Sequence, residues 1–270
     1  MQDFRPLGAR ELVGFSWSLY KRRFGPLIAV CLVLVGIPSI LQWLTGVGWL
    51  MTLALLLTEL LATGAFIRII ASHCVDLPIS AAESIRAAWS RFGRMLGTWL
   101  IFVLGVVAVA TVMIMIGTVI LVIVAPGMLE QMSDFAYDPF AVPPETLLPF
   151  LAWTFVMVLP AIALAVSWWA APMAVMVEGS RPVAGLRRSW KLILPHFGRA
   201  VGVLLLSVAV IAPPMVVLYW LLPDYLAVLL GRLWSVPLAA VVGTVLYLDL
   251  RARSEDLTHQ NLVRELTSAS

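Results

Sequence analysis

Six long apolar stretches, near residues 25–45, 49–71, 98–124, 147–176, 201–222 and 228–249, restrict this chain to very few folds. A helix rises about 1.5 Å per residue, so about 20 apolar residues cross the hydrocarbon core of a bilayer. Backbone polar groups must be paired within that core, which makes a helix the spanning element for segments of this length. The chain is 61% hydrophobic and 12% charged, whereas a water-facing protein usually carries about a quarter charged residues. The expected fold class is all-α, a polytopic membrane protein with six transmembrane helices. The third and fourth stretches are long enough to tilt or to emerge on one side.

Charge orients the spans. Of the eighteen Lys and Arg residues, all but Arg232 fall on one side if the stretches alternate. Arg5, Arg10, Lys21, Arg22 and Arg23 precede the first, and Arg68, Arg86, Arg91 and Arg94 surround the second junction. Arg181, Arg187, Arg188, Lys191 and Arg199 fill the fourth junction, and Arg251, Arg253 and Arg264 follow the last span. The other junctions are short or acidic; the longest carries Glu130, Asp134 and Asp138 with no Lys or Arg. The positive-inside bias therefore puts both termini in the cytoplasm. Arg232 lies close to the outer end of the last span, where a long side chain snorkels. The first 24 residues are amphipathic, not apolar, and give no cleavable signal peptide. Arg outnumbers Lys sixteen to two, which points to a GC-rich bacterial genome and hence to the bacterial inner (plasma) membrane. Cys31 and Cys74 lie at different depths, so no disulfide is expected, and no metal-ligand or cofactor spacing occurs.

A unit recurs three times. Phe24-Gly25, Phe92-Gly93 and Phe197-Gly198 each open an outgoing span, and the last two extend over Arg94 to Gly97 and Arg199 to Gly202. Before each lies an amphipathic stripe: Val13, Trp17, Tyr20 and Phe24; Ile85, Trp89 and Phe92; Val183, Leu186, Trp190, Ile193 and Phe197. Ser80 and Glu83 form a capping box for the second, and Pro182 suits the first turn of the third. Apolar periodicity opposite a basic face, too short and charged to span, predicts helices in the membrane interface. The organisation expected is one membrane domain of three hairpin repeats, 9–72, 78–178 and 182–250, each led by a cytoplasmic interfacial helix, with 251–270 as a cytoplasmic tail.

Catalytic patterns are scarce. His73, His196 and His259 share no helical spacing, and the chain lacks HExxH, a phosphate loop or paired intramembrane aspartates. Glu59 is the acid well inside a span, read either as a hydrogen-bonded acid joining helices or as a proton- or cation-handling group. Arg187, Arg188, Lys191 and Arg199 around Trp190 make a candidate face for anionic headgroups, at about 1 kcal/mol per charge. The outer segment from Gln131 to Phe140 mixes acids with aromatics and reads as a lid or interfacial loop.

Two stretches, Trp169-Ala170-Ala171-Pro172 through Glu178-Gly179 to Leu186-Arg187-Arg188-Ser189-Trp190-Lys191-Leu192, and Pro237-Leu238-Ala239 to Tyr247-Leu248-Asp249-Leu250-Arg251, carry a resemblance. The chain resembles the membrane-domain family of the glycerophosphoryl diester phosphodiesterases. The resemblance implies a six-span helical domain with no established activity of its own. Hydrolysis in the enzymes that lend the name belongs to a soluble domain for which this chain has no room. It nominates Pro172, Glu178, Arg188, Trp190, Tyr247, Asp249 and Arg251, with Glu178, Asp249 and Arg251 as a cytoplasmic-rim network tying the last span to the third interfacial helix. The first functional reading is a non-enzymatic module that binds anionic lipid or a protein partner, with no nucleic acid. A small transporter with Glu59 as coupling acid is the alternative, and an intramembrane lipid-modifying enzyme comes third.

Overall fold

A computed structural model describes residues 7–46, 48–125, 127, 144–255 and 257–268. The acids Glu130, Asp134 and Asp138, with the rest of the expected outer loop, lie outside the described residues. The fold is all-α, and among the described residues no strand occurs. Among the described residues, six helical stretches are long and apolar enough to cross a membrane: Phe24–Thr45, Trp49–Cys74, Phe92–Val124, Leu147–Glu178, Pro182–Leu221 and Asp224–Glu255.

The helices are α1 (Ala9–Arg22), α2 (Phe24–Cys31), α3 (Ile37–Thr45), α4 (Trp49–Cys74), α5 (Ala81–Ser90), α6 (Phe92–Val124), α7 (Pro144–Trp168), α8 (Ala171–Glu178), α9 (Pro182–Ile193), α10 (Phe197–Leu221), α11 (Asp224–Glu255) and α12 (His259–Ser268). A π-helical turn, Leu32–Gly36, joins α2 to α3, and a 3-10 turn, Leu194–His196, joins α9 to α10. Contacts divide the chain into two compact units, Met1–Trp99 with Ser167–Ser270, and Leu100–Val166.

In the first unit, α4 and α11 are the central spans, and the short α8 is buried along most of its length. Burial is lopsided. In α4 only Leu55 is buried before Leu61, whereas Gly64 to Ser72 are all buried. In α11 only Ala227 and Gly231 are buried before Pro237. The packed half is the end where Arg23 Nε meets His73 Nδ1 at 3.1 Å, called here the basic end. At the opposite end Trp43 stacks on Tyr225 at 4.7 Å. Gly64 permits close packing near the basic end: a Cβ there would lie 2.7 Å from Met95 Sδ and 3.1 Å from Ala88 Cβ.

The three short amphipathic segments are helices, but their buried faces are rotated from the stripes read in the sequence. α1 packs against α10 and α11. Leu12, Ser16, Leu19 and Tyr20 are its buried residues, and Trp17 and Tyr20 edge onto Trp234 of α11. α5 buries Ser84 and Ala88, and α9 buries Gly185, Leu186, Ser189, Leu192 and Ile193, while Trp89 and Trp190 stay exposed. Ser84 and Ala88 in α5, and Gly185 and Ser189 in α9, let these two helices approach the core closely, and their indoles are left at the edge, where an amphipathic ring suits a membrane interface. Trp89 stacks there on Phe92 at 5.6 Å.

α5 starts at the capping box. Glu83 Oε2 accepts from Ser80 N and Ser80 Oγ, both at 2.8 Å, and Ser80 Oγ accepts from Glu83 N at 3.2 Å. The Ser80 backbone N–H, then its hydroxyl, hold the Glu83 carboxyl below the usual carboxylate range. A depressed value means that the box stabilises fully above the unfolded-state pKa and fades as pH falls through the folded one. Amide exchange at the start of α5 is expected to quicken over that acidic window, and Glu83→Gln to abolish the pH dependence.

The second unit pairs α6 with α7. Gly117 leaves room for Met157, whose Cγ would sit 2.6 Å from a Cβ there. A crevice of about 190 Å³ lies beside this contact, lined by Thr118, Thr154, Leu121, Phe150, Trp153 and Met157 among others.

Candidate functional site

Glu178, Arg188, Tyr247 and Arg251 gather around α8, a helix that exists because the chain breaks before it. The freed groups at the break are bridged by one hydroxyl: Ser189 Oγ donates to the Ser167 carbonyl at 2.8 Å and accepts from Ala170 N at 3.1 Å. Pro172 then sits in the first turn of α8, where a missing N–H costs nothing. Gly179 ends the helix at φ 70°, a left-handed conformation that suits glycine, with its N–H on the Val175 carbonyl.

Two arginines hold that C-terminal end. Arg91 Nη1 donates to the carbonyls of Val175 at 3.1 Å and Met176 at 2.6 Å, and Arg94 Nη1 to that of Gly179 at 3.0 Å. Arg68, buried in α4, donates in the same way to the Leu266 carbonyl near the end of α12. Cations are favoured at helix C-termini, where carbonyl groups lack intrahelical partners. These three side chains therefore clamp helix ends, a role that charge counting along the sequence does not register.

Glu178, the last residue of α8, is the centre of a larger cluster. Its carboxylate accepts from Arg188 Nε at 3.1 Å, lies 3.3 Å from Arg251 Nε, and accepts from the Tyr247 hydroxyl. Arg188 also donates both terminal nitrogens to Glu255. Arg251 makes a two-pronged contact with Glu265 of α12, at 2.7 and 2.8 Å. The segment after Arg251, read in the sequence as a tail, thus includes a helix that buries Leu262 and Leu266 and is held to the core.

Asp249 stands apart from this cluster. Two residues from both Tyr247 and Arg251, it projects from the other side of α11, because two steps along a helix turn the side chain by about 200°. It accepts from Leu7 N at 2.8 Å, Arg199 Nε at 3.0 Å and Arg253 Nε at 3.1 Å. Glu178 and Arg251 share one network, while Asp249 and Arg199 share another.

Of the candidate headgroup residues, Arg188 and Arg199 turn inward to carboxylates, whereas Arg187, Trp190 and Lys191 are exposed. Glu59 has a partner that sequence reading missed: its Oε1 lies 3.2 Å from Arg232 Nη1. Arg232, eight residues into α11, reaches across to α4. The pairing depends on the rotation of two helices far apart in sequence, which no local pattern encodes. Cys31 and Cys74 are free and buried. Among the described residues no group of three or more His, Cys, Asp or Glu is placed to hold a metal ion. No family model, no curated protein and no solved structure matches this chain.

Proposed function

We propose that the chain is a non-enzymatic membrane module of a bacterial inner membrane, with both termini cytoplasmic, whose basic end binds anionic phospholipid headgroups. One observation carries this reading: α9 buries one face in the protein and presents Arg187, Trp190 and Lys191 together on the other. Among the described residues neither Arg187 nor Lys191 has an ion-pair partner. Two cations four residues apart lie on one face of a helix, so a headgroup phosphate can bridge them while the indole enters the acyl boundary. Exposed Trp43, Trp49 and Trp220 at the opposite end and Trp89 and Trp190 at the basic end suit two interfacial belts, consistent with this placement.

The three Phe-Gly units are then copies of one hairpin, and the likeness to the phosphodiesterase membrane-domain family is one of architecture. A lipid-modifying enzyme is less well supported. Glu178 and Tyr247 do converge, but Tyr247 is fully buried and Glu178 is occupied by it and by two arginines.

The test uses nanodiscs with and without phosphatidylglycerol. Anionic lipid is expected to raise the melting temperature of the wild type, and Arg187→Gln with Lys191→Gln to weaken retention of that lipid about thirtyfold, near 1 kcal/mol per charge. Equal retention by the double variant, read by native mass spectrometry, rules the proposal out.

A further inference from the structure

The Glu59–Arg232 pair is placed where charge is hard to keep. Glu59 is ten residues from the start of α4 and Arg232 eight from the start of α11, so both lie about 12–15 Å below those helix ends, deep in the hydrocarbon. Yet the pair is not sealed by protein: the side chains are 25% and 32% exposed. Arg232 Nη1 is buried 3.2 Å from Glu59 Oε1 without the alignment of a hydrogen bond. Among the described residues neither side chain makes any hydrogen bond. A guanidinium offers five N–H donors and a carboxylate about four acceptor sites, so most of this capacity is uncommitted. Facing hydrocarbon, such groups are strongly disfavoured. Something polar therefore reaches them.

The surroundings point to the route. This is the loosely packed half of the first unit, where α3 has no buried residue. The facing spans supply Ser39, whose hydroxyl is buried without a partner, and Gln42, whose amide donates to Thr52 at 3.1 Å. The π-helical turn ends at Gly36, whose Cβ position lies 3.9 Å from Leu233, the neighbour of Arg232. Such turns are frequent at functional sites because they re-aim a helix face.

We propose that Glu59 and Arg232 form the floor of a polar site, open toward the end opposite the basic end, that binds a small zwitterion with its oxyanion on Arg232 and its ammonium on Glu59. A lone anion must overcome Glu59 and a lone cation Arg232. A ligand carrying both charges adds two hydrogen-bonded ion pairs and leaves the site neutral. This site is independent of the α9 face, and the two proposals fail separately.

Phosphoethanolamine is the probe, added to protein in nanodiscs of phosphatidylglycerol alone, with inorganic phosphate and ethanolamine as single-charge controls. Phosphoethanolamine is expected to raise the melting temperature where neither control does, and Glu59→Gln or Arg232→Gln to weaken it about thirtyfold or more. A second arm replaces half the lipid by phosphatidylethanolamine. Stabilisation in that arm alone, lost in the same variants, assigns the zwitterion to a lipid headgroup. No response in either arm, or an equal response in the variants, overturns the proposal. If the variants fail to fold, Gln42→Cys, at a partly exposed position of α3, with Cys31→Ser and Cys74→Ser decides. Labelling by a charged methanethiosulfonate that phosphoethanolamine or phosphatidylethanolamine slows supports the site, and absence of labelling overturns it.

Discussion

Glu178→Ala is expected to be among the most destabilising single substitutions in this protein, at about 3–5 kcal/mol, the usual cost of removing one partner from a buried ion pair. The carboxylate faces Arg188, Arg251 and the Tyr247 hydroxyl, and Arg251 and Tyr247 are both buried. Removing it leaves a guanidinium and a phenol against the end of α8 with less to satisfy them. Glu255 and Glu265 retain the outer contacts of the two arginines, which limits the loss. Tyr247→Phe removes one hydrogen bond and no charge, so it is expected to cost about 1 kcal/mol. Thermal unfolding in detergent separates the cases. A Glu178→Ala protein as stable as wild type, or a Tyr247→Phe protein that is worse, shows that the cluster does not hold α8 in place.

Much of the framework was legible because it depends on local composition. The apolar stretch from residue 25 to 45 corresponds to the span Phe24–Thr45, and that from 49 to 71 to Trp49–Cys74. The Ser80–Glu83 box and Pro182 at a helix start were readable for the same reason: each concerns residues within one turn. What stayed hidden depends on helix rotation and long-range pairing. Arg68, Arg91 and Arg94 counted as topology markers, yet all three point to carbonyls at helix ends. The break between α7 and α8 is invisible in a stretch that remains apolar throughout, and the hydroxyl that bridges it comes from Ser189, some twenty residues later. The α12 helix is strongly amphipathic, but a short charged segment after the last span looks like a tail until Leu262 and Leu266 have a surface to cover.

Asp249→Ala is expected to release Leu7 and Gly8 and to cost about 3 kcal/mol or more, because it opens a closed ring of contacts. Asp249 accepts from Leu7 N, Arg199 and Arg253, and both arginines donate back to the Leu7 carbonyl. The aspartate side chain is only 2% exposed, so little water is available to replace these partners. Loss of its charge leaves Arg199 and Arg253 side by side, and like-charge repulsion adds to the lost hydrogen bonds. Asp249→Asn keeps the shape and one acceptor, so it is expected to lie between Ala and wild type. Hydrogen exchange at Leu7 and Gly8 reports the local release, and thermal unfolding the global cost. Because Asp249 and Glu178 occupy separate networks on opposite sides of α11, their Ala variants are expected to add within about 0.5 kcal/mol. A larger coupling means that the two networks act as one unit, joined through α11.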